Sequence, residues 1–427
     1  MAEHTERSAS SGRAVAAACA VVLVVYLLIA SILIGSGSTR GRGAWDDVKY
    51  HEPTIRTFAE QWPALDLTDY LSATTPGYHI VLAAAAVWID DSRLFLQVVG
   101  ASFTIALYLV VTIWCARRLG AARAAACVLP MVGSMYVLFP GVWLLPDNAG
   151  WLGVVLILML ALRPRWDVRA FLAGSIVLAA LVMTRQVHLW AAALLCAGAW
   201  LGRFGTGEQI LDQFSRRLGR SATAVLAAVP AMAIVAWFAL TWGGLTPPTF
   251  QGKVQKMNFA VPAFLLVQIA VLTPWFAGYL AEAASEAWRS ARGWILGAAV
   301  LGLIVAAVPQ TTYSTDLGRY SGYWNIVRSL PVLGGHTSIL VLFLAPLGAM
   351  SLVVWCVALP RRERWVMAAG LGAFAAAQIM NANCWQRYHE PYLLICMALG
   401  AAMLGSAAQR RPPARLAALQ IAGPVVL

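Results

Sequence analysis

The feature that most constrains this sequence is a series of apolar runs, recurring from end to end with few ionisable groups inside them. The first, Val15 to Ile34, matches the ~20 residues a helix needs to cross a bilayer. Lipid offers the backbone no hydrogen bonds, so such a chain must satisfy its own, in helices. Charged residues make up 12% of the chain, about half the share usual in soluble domains. The sequence therefore reads as one all-α polytopic membrane domain over residues 1–427. No small-x-small cleavage site follows the first run, so it reads as a retained anchor.

The net charge of +12 falls largely on arginine, and lysine occurs only at 49, 253 and 256. In membrane proteins such an excess collects in cytoplasmic loops, so it implies membrane lipids as partners and no nucleic acid. Arg and Ala in place of Lys also fit a GC-rich bacterial genome, hence a bacterial inner membrane. The seven cysteines form no Cys-x-x-Cys pair and read as small core residues, not as a metal site or a disulfide frame.

Placing the arginine clusters inside fixes a topology. Helix one covers about 15–35, and 36–92 becomes an outer loop. Pro76 to Ile89 is apolar but only fourteen residues long, so it is expected to lie on the outer surface. Further spans are expected near 94–115, 124–142, 149–162, 170–183, 187–202, 222–242, 260–280, 293–309, 337–359, 365–381 and 391–408. That makes about twelve spans, both termini inside and a cytoplasmic tail at 409–427.

This topology sorts the polar residues by side. The outer loops hold Asp46, Asp47, His51, Asp147, Arg185, Gln186, His188, Lys253, Lys256, Tyr320, Trp324, Arg387 and His389. The spans hold almost no ionisable groups. A lipid-linked sugar transporter or flippase would instead line its interior with polar residues. A non-catalytic assembly subunit would leave the outer acids and cations scattered. Acids and cations converging on one face suit an enzyme whose substrate is part lipid and part water-soluble. Arginine binds phosphate through a bidentate fork and lysine as a point charge. A carboxylate nearby takes a proton from an acceptor hydroxyl. Together these describe sugar transfer from a polyprenyl-phosphate carrier to a glycan or lipid-linked acceptor.

Three local motifs, in order, resemble the GT-C glycosyltransferases, and within them the dolichyl-phosphate-glucose α-1,2-glucosyltransferases. They are Asp46-Asp47 followed by His51-x-Pro53, then Thr74-Thr75-Pro76-Gly77-Tyr78, then Arg185-Gln186 with Trp190. The chain departs from that family in having Asp47 where it has Glu, and in lacking one Pro and a Leu from the second motif. The likeness covers roughly residues 40–190. It implies a GT-C bundle with juxtamembrane helices after helix one. It also implies an inverting hexosyl transfer, of glucose if taken literally, at the outer or periplasmic face.

Asp46 and Asp47 are the catalytic candidates. Neighbours on a helix do not face the same way, so one of them is expected to be the base. The class usually uses the first acid, which favours Asp46, with Asp47 orienting substrate or the lipid phosphate. Arg185, Lys253, Lys256, Arg387 and His389 are the candidates for the donor phosphate; Arg185 could equally snorkel to headgroups. His51, Gln186, His188, Tyr320 and Trp324 are the candidates for sugar or acceptor, though interfacial aromatic belts are also normal. The leaving phosphate calls for no cofactor. No metal-ligand cluster stands out, although a lone acid beside a phosphate can hold a divalent ion.

Overall fold

A computed structural model describes residues 2–40, 44–202, 210–251, 257–407 and 413–426. It is built of helices, with one two-residue hairpin, Val332–Leu333 against Thr337–Ser338. The helices are α1 (Ala2–Gly35), α2 (Glu52–Glu60), α3 (Gly77–Trp88), α4 (Arg93–Leu119), α5 (Ala121–Gly133), α6 (Met135–Leu138), α7 (Asp147–Ala161), α8 (Val168–Thr184) and α9 (Ala192–Trp200). They continue as α10 (Ile210–Trp242), α11 (Val261–Leu272), α12 (Ala277–Ala307), α13 (Trp324–Arg328), α14 (Ile339–Ala358), α15 (Arg361–Ile379), α16 (Gln386–Ala407) and α17 (Ala414–Val426).

Among the described residues five helical stretches are long and apolar enough to cross a membrane: Gly12–Gly35, Arg93–Leu119, Phe214–Trp242, Val261–Ala307 and Ile339–Ala358. Ala121–Gly133 and Met135–Gly141, bent by 76°, make a sixth if counted as one broken span. About twelve spans were expected. Of the others, 260–280 and 293–309 fall within one of these stretches, 365–381 and 391–408 lie on α15 and α16, outside them, and 149–162, 170–183 and 187–202 form apolar helices of 10–17 residues. Polar junctions cut these runs short: Pro146-Asp147 opens α7, Asp167 caps α8, and Arg185 leaves the helix in an extended conformation. Pro76–Ile89 forms the 12-residue α3, too short to span, as expected.

The exterior is apolar. Leu240 is 84% and Trp294 79% exposed, on helices that carry many other exposed Val, Leu and Ile side chains. A bundle turned outward in this way suits lipid as its solvent. Inside, small residues let helices approach: a Cβ at Gly348 of α14 would run into the Leu266 carbonyl of α11.

Two sets of polar contacts lie at opposite ends of α8, α9 and α15. At one end the Arg362 guanidinium donates to the carbonyls of Ala161, Leu162, Arg163 and Leu201, at 2.5–3.0 Å. It thereby caps α7 and α9, whose last carbonyls have no partners within their own helices. Arg163 and Arg362 were assigned to the inner side. The other end carries Asp46, Asp147, Arg185, Tyr320 and Arg387, which were assigned to the outer side.

The segment after α1 has a core of its own: Ile55, Phe58, Tyr70, Tyr78, Leu82 and Leu96, closed by Phe238 and Trp242 of α10. The Trp242 indole donates to the Leu67 carbonyl at 2.9 Å. One cation pins this subdomain to the bundle. Arg93, at the start of α4, donates to Asp47 Oδ2 at 2.6 Å, to the Thr39 carbonyl at 3.0 Å, and to Glu52. Asp47 is fully buried there. Removing one partner of a buried pair strands the other charge. Arg93→Met is therefore expected to cost about 3–5 kcal/mol of stability, seen as a lowered melting temperature in detergent. An unchanged melting temperature would show that the clamp holds nothing.

Candidate functional site

The acidic pair is divided by a π-helical turn at Asp47–His51. Pro53 supplies the cause. It has no N–H to give Lys49, and its ring would crowd the Lys49 carbonyl in a regular α-turn. The turn widens instead, and the Glu52 N–H donates to the Asp47 carbonyl five residues back. Residues five apart come close to eclipsing, whereas on an α-helix at ~100° per residue they diverge. Asp46 and His51 thus line one cavity, with Tyr50 beside them. Asp47 turns away into Arg93 and is not among the cavity's walls. The contact with substrate or lipid phosphate expected of Asp47 is replaced by a structural ion pair.

The cavity encloses about 970 Å³. Two ion pairs mark its polar end. Arg387 Nη1 meets Asp46 Oδ2 at 2.7 Å, and Arg185 Nη1 meets Asp147 Oδ1 at 2.6 Å. Asp46 and Arg387 are partly exposed, with side chains 28% and 26% accessible, so this pair faces the open space. Asp147 is buried. Burial works against its charge, but Arg185 and Arg387 outweigh that and hold the carboxyl below its ordinary range. Aromatic rings back the cations. The Arg387 guanidinium lies 5.1 Å from the Trp385 ring centre and 5.2 Å from that of Tyr388, and Arg185 lies 5.5 Å from Tyr388. Tyr320 stands edge-on to Trp385 at 5.4 Å and also lines the cavity.

The second and third motifs touch each other. The Gln186 side-chain amide donates to the carbonyls of Ala73 and Leu245, both at 2.8 Å, and accepts the Thr75 N–H at 3.0 Å. The Thr75 hydroxyl donates to the Val182 carbonyl at 2.5 Å. Gly77 presses on the Met183 backbone, where any Cβ would clash. Gln186 thus braces the wall that Ser72, Ala73 and Thr74 present to the cavity, while its own side chain also lines it.

Other candidates fall elsewhere. His188 is buried edge-on against Trp151 at 5.0 Å, outside the cavity. His389 is buried between Phe264 and Phe374, its Nδ1 3.3 Å from Gln268 Nε2. Trp324 stacks on Phe264 at 4.5 Å and donates to the Cys384 carbonyl at 2.6 Å. These three side chains pack inside the bundle, where apolar rings give them more burial than an open wall would. Lys253 and Lys256 lie outside the described residues. Sequence reasoning put Asp147 on the outer side without a role and passed over Arg93, His79, Trp385 and Tyr388. The signal for Asp147 was Pro146-Asp147 opening a helix in an outer loop. For the two aromatics it was their place on either side of Arg387.

Away from the charges the cavity becomes apolar. Leu189, Trp190 and Ala193 face Ala373, Ala376 and Ala377 of α15, with Val235 of α10 between. A second hollow of about 460 Å³ continues along the same three helices, bounded by Cys196, Ala197 and Trp200, Trp365 and Ala369, and Ser221. On α15 the lining runs 365, 369, 373, 376, 377, 380, the spacing of one helix face. At 1.5 Å per residue the two separate hollows together span about 22 Å of α15. Among the described residues no group of three His, Cys, Asp or Glu side chains could hold a metal ion.

His51 and His79 form a further pair, with Nδ1 and Nε2 2.9 Å apart. Burial lowers the His51 pKa to about 4 and that of His79 well below its ordinary value. The unfolded chain therefore binds protons below pH 6.5 that the folded chain does not. The histidine contribution is complete above that pH and is lost as pH falls towards about 4. Asp47 acts in the opposite sense. Burial, against the pull of Arg93, raises its carboxyl from 3.8 to about 6, so its share is complete below the first value and lost as pH rises through the second. His51→Gln removes one contribution and leaves the other. Relative to its own stability at pH 7, the variant should keep roughly 2 kcal/mol more than the wild type at pH 5, read by thermal unfolding in one detergent. Parallel curves would mean that His51 takes up its proton over the same pH range folded and unfolded.

Compared with known proteins, the chain matches no family model and no curated protein.

Proposed function

We propose that this chain is an integral membrane glycosyltransferase of GT-C architecture, moving a monosaccharide from a polyprenyl-phosphate carrier to an acceptor hydroxyl. The observation that carries this reading is a single cavity with two halves. Asp46, Arg387, Asp147 and Arg185 meet at one end, and an apolar groove leads away between α9, α10 and α15. A ligand matched to both halves carries an anionic, hydroxyl-rich head on a long hydrocarbon tail. The convergence of acids and cations favours this over a non-catalytic subunit. The apolar lining of the groove favours it over a sugar flippase.

In this reading the groove takes the polyprenyl tail, and Arg387 and Arg185 face the phosphodiester. The acceptor hydroxyl loses its proton to the Asp46 carboxylate as its oxygen attacks the anomeric carbon. The bond from that carbon to the phosphate oxygen breaks, its electrons stay on the lipid phosphate, and the configuration inverts. The guanidinium groups stabilise the charge that gathers on the departing phosphate. Glucose is the sugar that the family likeness suggests, and the distribution of arginines in the sequence supports a reaction at the periplasmic face. On this view α7, α8, α9, α15 and α16 also traverse the bilayer, and α11 and α12 cross it separately, which makes about twelve spans.

The test is purified protein presented with a panel of polyprenyl-phosphate sugars, reading released lipid phosphate. One donor should turn over, and Asp46→Asn should slow it by roughly 10²–10⁴-fold. Full activity in Asp46→Asn would sink the assignment of the base, and silence across the panel would sink the reaction class. Filling the groove with Ala377→Trp should raise KM for a long-chain donor about tenfold, and less for one with a truncated tail. Equal effects on both donors would remove the tail from the groove.

A further inference from the structure

His51 reaches the cavity through the wide turn, and the one polar group bonded to its ring is His79, on α3. The rings lie nearly parallel, 12° apart, with centres 5.1 Å apart. His79 is wholly buried among Phe58, Tyr70 and Tyr78. Its Nδ1 has no hydrogen-bond partner. Among the described residues neither ring has an ion pair or a further hydrogen bond, and packing alone would be met by two apolar rings.

A neutral imidazole has one N–H and one bare nitrogen. The contact between the rings holds one proton, so two arrangements exist. In the first, His51 Nδ1–H donates to His79 Nε2. The proton of His79 must then sit on its Nδ1, a buried N–H with nothing to receive it. In the second, His79 Nε2–H donates to His51 Nδ1. His79 Nδ1 is then a bare acceptor, and the proton of His51 sits on Nε2, towards the cavity. Orphaned buried donors are rarer in folded proteins than under-used acceptors. The cavity side favours the second arrangement as well. Of the charged groups acting on His51, Asp46 and Asp147 outweigh Arg387 and Arg185. An N–H directed towards two carboxylates is attracted, and a lone pair is repelled.

We propose that His79 is a positioning residue that fixes the ring proton of His51 on Nε2, making His51 an uncharged N–H donor to an oxygen of the ligand's sugar-phosphate head. The nature of that ligand rests on the function proposed above; the state of the ring does not. His51 then adds a neutral donor of fixed polarity to the two cations and two anions of the cavity. A neutral donor orients a hydroxyl or phosphoryl oxygen without adding to the charge that Arg387 and Arg185 already bring.

Nitrogen-15 spectra of histidine-labelled protein in lipid nanodiscs read the two nitrogens directly, with His51→Gln and His79→Gln giving the assignments. At neutral pH both rings should show a protonated Nε2 and a bare Nδ1. Adding a short-chain polyprenyl monophosphate should shift the His51 Nε2–H signal. A His51 proton on Nδ1, or a charged ring, overturns the proposal whatever the turnover assay gives. So does a phosphate that binds, read by broadening of its phosphorus-31 signal, while leaving His51 unmoved. Turnover separates positioning from packing. A glutamine amide can donate to His51 Nδ1, whereas phenylalanine fills the site better but cannot. His79→Gln should stay near wild type, and His79→Phe should lose about tenfold in kcat/KM, the effect of one hydrogen bond. The reverse order would make His79 a filler and overturn the assignment. Loss of all turnover with the expected spectra would instead count against the glycosyltransferase reading alone.

Discussion

Everything at the polar end depends on the buried contact between Arg93 and the segment that follows α1. One guanidinium holds Asp47, Glu52 and the Thr39 carbonyl, and so fixes where the chain leaves α1 and where α2 begins. Charges taken out of water are costly unless paired, and here the cation is shared by two carboxylates, although Asp47 Oδ1 and Arg93 Nε stay without hydrogen-bond partners. With Asp47 anchored, the widened turn has only one way to face. Asp46 is delivered to the open side and His51 to His79. The acid that never meets a ligand is what aims the one that can.

The cavity repeats this logic with looser partners. Asp46 with Arg387, and Asp147 with Arg185, give a site close to electrical balance. Under the proposed function, an incoming phosphate has to draw the guanidinium groups partly away from their carboxylates. Asp46 is the acid such an exchange frees first, because its pair is partly solvated while Asp147 is enclosed. Binding and exposure of the proposed base are then one event.

Much of this could be read from the sequence, for identifiable reasons. Apolar runs and arginine clusters obey strong, local rules, and the residues they assigned to two sides do gather at opposite ends of α8, α9 and α15. Asp46, Arg185 and Arg387 were legible because unpaired charges next to apolar runs demand an explanation. The division of Asp46 from Asp47 was not. Pattern arguments assume 3.6 residues per turn, and Pro53 locally overrides that period. Gln186 was read as a ligand contact, although its bonds to Ala73, Thr75 and Leu245 join segments far apart in sequence. His188, His389 and Trp324 were drawn to the site by their polarity, but their rings found better burial inside. The count of spans suffered because apolar length alone does not reveal where Pro146, Asp167 and Arg185 interrupt a helix.

The Arg362 cap also sets the mechanics of the groove. It ties the start of α15 to the last carbonyls of α7 and α9, whereas the far end of α15, near Met380, borders open cavity. Two rods joined at one end can change their separation only by pivoting there. Any breathing of α15 against α9 is therefore smallest beside Trp365 and largest beside the ion pairs. The slot behaves as a wedge, whose narrow end keeps a constant width while its mouth adjusts to the bulk of whatever enters.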